Sequence, residues 1–397
     1  MVSISKRKWF VGFVIAYIFL AFLQAASAFA FVYGLSIPKP VSSVLLVLFG
    51  AAILQLPYLF WLASTARQPS RQVAFWLVRP LFAWHFNWSI SLLVLGPVIL
   101  LGSLGSALLS MPVIFETTKW IVLCFLTLWW VLALVGLLGN IRAPEVTETE
   151  IEIQGMGKGF DGLRIAHISD IHVAWWSAKE ETRRVADLIL AANPDILLIT
   201  GDMVDHNPDY VNVFADAFAA VQPRLGRYAI IGNHDAYTGR NRVARRMEDR
   251  GFRMLRNEWV TLEQNGSRIV LAGMDDSAAG WISRDKASAQ IGNMLVGCPE
   301  GVPVILLAHR PPDFNDIADL PIALTLSGHT HGGQLRLPFG GPGFADITFE
   351  HVQGVYSKGP RTLYVSRGIG TVGFPYRLFC RSEISMIVLR SSENEIR

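Results

Sequence analysis

Four stretches of the chain, residues 9–38, 40–66, 80–115 and 120–141, contain no Asp, Glu, Lys or Arg. Each is longer than the roughly 20 apolar residues that cross a bilayer as a helix. The bilayer core offers no partner for a free backbone N–H or C=O, so such a run crosses as helix. Pro57 and Pro97 lie inside two of the runs, where membrane helices tolerate proline better than soluble ones do. The expectation is a transmembrane region of residues 1–142 with four helices, at about 9–33, 41–64, 89–110 and 120–140. Lys6-Arg7-Lys8, an apolar stretch and then Ala26-Ser27-Ala28 also have the outline of a cleavable signal. The apolar run continues through residues 29–32 without a polar break, so an uncleaved anchor is expected.

Charge orients the spans. Lys6, Arg7, Lys8, Arg67, Arg71, Arg79 and Arg142 flank the N-terminus, the second connection and the exit, while the other two connections offer only Lys39 and Lys119. By the positive-inside rule, everything after Arg142 lies in the cytoplasm, giving a multi-pass cell-membrane protein. Trp76, Trp84, Phe86 and Trp88 flank the third span, where an interfacial aromatic belt is expected. The formal net charge of +3 comes from this region: nine basic residues and one acidic up to Arg142, against 26 basic and 31 acidic beyond it. It therefore reports topology and does not favour a nucleic-acid partner; membrane lipids are the expected surroundings. Cys124, Cys298 and Cys380 are too scattered for a disulfide framework or a cysteine zinc site, and a reducing compartment fits them.

Residues 143–160 read as a linker and a first strand, with Thr147, Thr149, Ile151 and Ile153 alternating with polar neighbours. Strands and helices then take turns. Apolar runs predict strands at 163–168, 196–200, 228–231, 259–262, 268–272, 302–308, 323–326, 363–365 and 384–389. Helical spacing predicts helices at 179–192, 211–221 and 241–251. The alternation implies an α/β sandwich, partly parallel, over residues 161–390, with a tail at 391–397. Gly368 to Gly373 matches G-x-G-x-x-G after a strand, but Phe374-Pro375-Tyr376 follows where a dinucleotide site requires a helix, so no nucleotide cofactor is expected.

The strand ends carry the chemistry. "HISDIHV" supplies Asp170 and His172, "TGDMVD" supplies Asp202 and Asp205, and "IGNHD" supplies Asn233, His234 and Asp235. "LLAHRPPD" adds His309, and "LSGHTHGGQ" adds His329 and His331 at alternate positions. In a strand, alternate residues share a face, so this last pair is expected to leave one strand end in one direction. An Asp after a strand is by itself a common helix cap. Five successive strand ends bearing carboxylate, carboxamide or imidazole instead suit a metal site at the carboxyl edge of a sheet.

The order D-x-H, GDxxD, GNHD, H and GHTH resembles the calcineurin-like metallophosphoesterases, and more closely their membrane-anchored branch, the transmembrane proteins with a metallophosphoesterase domain. The resemblance covers about residues 145–390 and includes Asn257-Glu258, "AGMDD" at 272–276, "HTHGGQ" and the late "SRGIGT…PYR". "HRPPD" departs from the usual spacing by one proline, and "FCRSEI" replaces a more proline-rich ending; neither touches an expected ligand.

The resemblance implies a calcineurin-like α/β/β/α sandwich holding two divalent metal ions. Asp170, His172 and His331 would hold the first, Asn233, His309 and His329 the second, and Asp202 would bridge them. The donor types suit Mn, Fe, Zn or Co without choosing among them. A hydroxide between the metals would attack a phosphodiester or pyrophosphate, and His234, oriented by Asp205, would protonate the leaving oxygen. Four spans exceed what tethering needs, which points to a lipid-linked phosphoester substrate. The alternative is a non-catalytic membrane scaffold or regulator, which need not keep all seven ligands. A transporter reading finds no charged residue inside the spans. A nuclease reading would use Arg240, Arg242, Arg245, Arg246, Arg250 and Arg253, which Glu248 and Asp249 interrupt as on a solvated helix face.

Overall fold

The computed structural model describes residues 6–65, 67–139, 142–278 and 287–392. The chain divides into two compact units, Met1–Leu138 and Gly139–Arg397. The first holds helices Lys6–Ala28, Lys39–Thr65, Arg79–Leu109 and Pro112–Gly139. A π-turn at Phe29–Tyr33 extends the first, and another at Ala74–Val78 joins the short helix Arg71–Val73 to the third. All four runs are long and apolar enough to cross a membrane.

Two of them start earlier than expected. The third run begins at Arg71, where the Ser70 side chain accepts from the Val73 N–H, well before residue 89. The fourth begins at Pro112 and takes in Glu116 and Lys119 as an ion pair at 2.6 Å, one turn apart. The expected aromatic belt is also corrected. Trp88 is buried and Trp84 packs with it, in contact with Phe31, Phe49 and Trp130 at centroid distances of 4.9–5.8 Å. These rings come from all four helical runs and tie them together, since large aromatic faces stabilise most when packed on one another. Only Trp76 stays largely exposed, as a belt residue would. Gln24, Ser27, His85 and Asn87 are buried while many Leu, Val and Phe side chains face outward. Ser27 donates to the Trp88 carbonyl at 3.2 Å, an interhelical bond of the kind found between helices in lipid.

The second unit is a sandwich of two six-stranded mixed sheets. One holds β1 (Glu145–Gln154), β2 (Arg164–Ile168), β3 (Ile196–Ile199), β4 (Arg227–Ala229), β5 (Arg253–Met254) and β12 (Glu383–Ser392), ordered β1-β12-β2-β3-β4-β5. The other holds β6 (Glu258–Gln264), β7 (Ser267–Met274), β8 (Val304–Ala308), β9 (Ile322–Ser327), β10 (Gly354–Lys358) and β11 (Arg361–Val365), ordered β10-β11-β9-β8-β7-β6. The runs β2 to β5 and β7-β8-β9-β11 are parallel.

Period-two alternation explains the layers. Ile305 and Leu307 of β8 join Ile165, Leu198, Leu326 and Leu389 in the core between the sheets. Val304, Leu306 and Ala308, on the opposite face, pack with Ile291 and Met294 of helix Ala287–Met294. Strands buried on both faces read as unbroken apolar runs, which is why the parallel ones were evident in the sequence.

Helix Asn233–Glu248 begins eight residues before the expected 241. Gly232 precedes it, and the Asp235 carboxylate accepts from the Gly232 N–H at 3.1 Å, a capping interaction. Gly239, at φ 132°, kinks it. The helix expected at 211–221 closes sooner, as Tyr210–Ala217.

Candidate metal centre

The expected ligands sit just past the ends of β2, β3, β4, β8 and β9. Asp170, His172, Asp202, His329 and His331 all have left-handed backbones, with φ between 46° and 69°. Non-glycine residues avoid that region at a cost of about 1–2 kcal/mol each, and such outliers gather where function fixes a side chain. The expectation that His329 and His331 share one strand face is corrected here. Both lie beyond β9, and His331 opens a 3₁₀ turn, His331–Gly333. Their turned backbones send the two rings to different partners.

His331 Nε2 lies 3.0 Å from His172 Nε2 and 3.5 Å from Asp170 Oδ1. His329 Nδ1 lies 3.2 Å from His309 Nε2, which is 3.0 Å from Asn233 Oδ1. Between the two groups, Asp202 Oδ2 is 3.4 Å from His172 Nε2 and 3.3 Å from His309 Nε2. Asp170, His172 and His331 form one cluster able to hold a metal ion, and Asp170, Asp202 and His309 another. All seven expected ligands are buried.

The donor set fits cations. Ring nitrogens face one another at about 3 Å around three oxygen acceptors, and within each pair only a shared proton or a cation relieves the facing lone pairs. Burial acts to lower the pKa of His309, yet Asp202 and Asp170 outweigh it and push it up to about 10. Burial acts to raise that of Asp202, yet His309 and His172 hold its carboxyl well below the usual range. A carboxylate kept ionised at the centre of the cluster, strongly enough to hold a proton on the buried His309, would attract a divalent cation in that proton's place.

Asp205 reaches three imidazoles: its Oδ1 is 3.3 Å from His172 Nδ1 and 3.1 Å from His234 Nδ1, and its Oδ2 is 2.9 Å from His206 Nδ1. It can therefore orient a ligand imidazole from behind as well as hold His234. His234 is a quarter exposed, unlike the buried ligands, and stands at the mouth of the site. Burial opposes its charge, but the hydrogen bond to Asp205 and the charges of Asp202 and Asp205 push its pKa up to about 9.

Sequence reasoning missed several supports. Buried Asp235 accepts from the N–H groups of Met203, Val204 and Gly232 at 3.0–3.1 Å, tying the Asp202 loop to the Asn233 loop. Its place at the third position of a helix after glycine was the available signal. Arg377, also buried, donates to the His331 carbonyl at 3.0 Å and twice to the Gly370 carbonyl, at 2.9 and 2.7 Å. The glycine run 368–373 packs on the Asp170 strand end: Gly370 N–H donates to Asp170 O at 2.7 Å, and a Cβ there would meet Ile171 O at 2.1 Å. Backbone contact with a metal-site loop thus accounts for Gly370, while Gly368, at φ 67°, backs the Asp170 side chain. Arg242 and Arg250, from the basic run, pair with Asp209 and Asp216, in keeping with a solvated helix face.

A double-sheet α/β sandwich with carboxylates and imidazoles converging at its strand ends is the architecture of metallophosphoesterases. The calcineurin-like phosphoesterase family model matches residues 163–333, and the chain belongs to the calcineurin-like metallophosphoesterases. It is 33% identical over 269 residues to a transmembrane protein with metallophosphoesterase domain from Danio rerio, covering 66% of this chain but only 61% of that protein's length. It is 32% identical over 254 residues to the uncharacterized metallophosphoesterase YkuE of Bacillus subtilis, covering 62% of this chain and 86% of that one. To the phosphodiesterase YaeI of Escherichia coli it is 28% identical over 233 residues, covering 57% and 82%.

Proposed function

We propose that the chain is a membrane-anchored, metal-dependent phosphoesterase that hydrolyses phosphodiester or pyrophosphate bonds, with a lipid-linked substrate. The observation that carries the reading is the meeting of seven buried ligand side chains from five strand ends around Asp202. In this reading Asp170, His172 and His331 would hold one divalent cation and Asn233, His309 and His329 the other, with Asp202 lying between the two groups. When bound, two cations supply Lewis acidity that polarises a phosphoryl group and acidifies an attacking water.

The protein does the rest. Asp205 faces the Nδ1 of His172 and keeps His234 protonated, so His234 can pass its Nε2 proton to the leaving oxygen. The buried floor excludes bulk water and strengthens each charge interaction. The four apolar helices within residues 1–142 serve as the anchor, and residues 161–390 as the phosphoesterase domain after the linker and first strand at 143–160. The bias of basic residues supports a domain on the cytoplasmic face. The name of the YaeI relative supports diesters over monoesters.

The test is turnover by the purified full chain, with and without Mn²⁺, on nitrophenyl monoesters, diesters and lipid pyrophosphates. Asp202→Asn should lose bound metal and turnover together. Activity independent of added metal after chelation, or an Asp202→Asn protein with two cations and normal rates, would sink the proposal.

A further inference from the structure

Residues 335–350 leave the metal centre, turn, and come back to it. The turn is built: Leu337 N–H donates to Pro342 O at 3.0 Å, Gly341 N–H to Pro338 O at 3.2 Å, and Arg336 bridges Gly343 as an antiparallel pair. Its root is pinned on both arms. Arg336 Nη1 donates to Gly332 O, beside His331, and to Asp346 Oδ2, both at 2.9 Å, while Gly343 N–H donates to the same oxygen at 2.7 Å. On the returning arm the Phe349 ring stands edge-on to the His329 ring at 5.5 Å.

The tip has the opposite character. Residues 337–345, "LPFGGPGFA", carry no ionisable side chain. Leu337 is 60% exposed, Phe339 105%, Phe344 61% and Ile347 83%. Scattered exposed apolar residues are ordinary, but a contiguous group marks an interaction surface. Four of the ten exposed large apolar residues described in this unit fall within residues 337–347, so they are concentrated in one segment.

We infer that this hairpin dips into the lipid surface of the membrane and sets the metal centre at headgroup level, where its substrates are lipid phosphoesters. The same chain carries four apolar helices of membrane-crossing length, and only residues 140–144 separate the last of them from β1. So short a tether keeps the local concentration of bilayer high, and weak insertion then suffices. The tip composition matches: aromatic and aliphatic side chains without charge, on a turn closed by the backbone bonds of Leu337 and Gly341, suit the membrane interface. Because the root is pinned to Gly332 and packed on His329, insertion and access to the metals are mechanically linked. The substrate class rests on the phosphoesterase reading; the insertion does not.

The full chain is reconstituted in vesicles of equal parts phosphatidylcholine and phosphatidylglycerol, with a photo-crosslinking side chain at position 339 and, as control, at exposed Val296. Lipid adducts at 339 and not at 296 are expected; adducts to protein alone, or none, overturn the inference. In parallel, Phe339→Ser with Ile347→Ser should lower turnover of a vesicle-borne nitrophenyl ester of phosphatidic acid about tenfold. Soluble bis-nitrophenyl phosphate should change less than about twofold, because neither side chain reaches the ligands. Equal loss on both substrates would assign the hairpin to the metal centre and overturn its lipid role. If both substrates prove inert in the unaltered chain, the phosphoesterase reading fails, and the adducts alone decide insertion.

Discussion

Replacing Gly370 with alanine adds one methyl group behind Asp170, and the structure fixes what it must meet. The new Cβ would lie 2.1 Å from Ile171 O, 2.7 Å from Ile171 C and 3.0 Å from Asp170 O. All three are backbone atoms, so no side chain can swing aside. Ordinary contact begins near 3.4 Å, so the two segments must part by about 1.3 Å, a forced overpacking that costs about 1–3 kcal/mol. The hydrogen bond from Gly370 N–H to Asp170 O is strained by the same movement. Asp170 is displaced relative to His331 and His172, and a shift of about 1 Å in a catalytic group costs on the order of 100-fold in rate. Gly370→Ala should therefore bind less metal and turn over roughly 100-fold more slowly while remaining folded. Gly373→Ala is the control: it has open space around it but φ 70°, so it should cost about 1 kcal/mol of stability and leave the metals in place. Elemental analysis after dialysis, steady-state rates and denaturant unfolding of both variants supply the readouts. Two cations per chain with unimpaired turnover in Gly370→Ala would refute the argument that the glycine loop positions Asp170.

Three further outcomes are expected. His234→Ala should keep its metals and lose about 10²–10⁴-fold in rate, more for alkoxide than for nitrophenolate leaving groups; equal losses would remove it as the acid. With a folded pKa of about 9 against an ordinary 6.5, His234 contributes stability that is fully present below about pH 6.5 and lost as pH rises through about 9. Denaturant titrations of chelated wild type and His234→Ala should therefore converge above that pH. Glu383 is buried and accepts from Arg367 Nε at 2.5 Å, Ser385 at 2.8 Å, Thr147 at 2.9 Å and Tyr364. Burial opposes its charge, yet Arg367 and Tyr364 hold its carboxyl down to about 2. Its stabilisation is thus present above about pH 4.5 and lost as pH falls toward 2. Glu383→Gln should cost about 3–5 kcal/mol in unfolding at neutral pH, and a loss under about 1 would show the pairing to be slack. For topology, a fluorescent protein fused after Arg397 should glow and an export-dependent phosphatase there should stay silent; the reverse pattern would place the domain outside the cytoplasm.

The site was legible because a strand buried on both faces cannot hold charge. Asp170, Asp202, Asn233, His309 and His329 each follow an apolar run, and the run itself announces where the polar chemistry must begin. The pairing of the strands was less legible. β12, last in the chain, inserts between β1 and β2 with parallel and antiparallel neighbours, a choice that depends on partners more than 200 residues away. β5 is two residues long and offers no period to read. The start of helix Asn233–Glu248 was hidden because Asn-His-Asp reads as a turn; its cap is a backbone–carboxylate bond that residue type alone does not reveal.

The membrane region failed differently. Trp84 and Trp88 have the composition and position of belt residues, yet the helical runs turn them inward against Phe31, Phe49 and Trp130. Hydropathy fixes how long a span is, whereas the direction of each side chain depends on where the run starts, and the third starts at Arg71. The metal centre shows the same dependence at the scale of single residues. His329 and His331 would point together from a straight strand, and only left-handed φ values of 69° and 53° separate them toward His309 and His172. Arg377, which clamps the His331 carbonyl, and Gly370, which backs Asp170, arrive from the far end of the domain. The residue types declare that metals can be held; this late segment holds the ligands in a conformation they would not take alone.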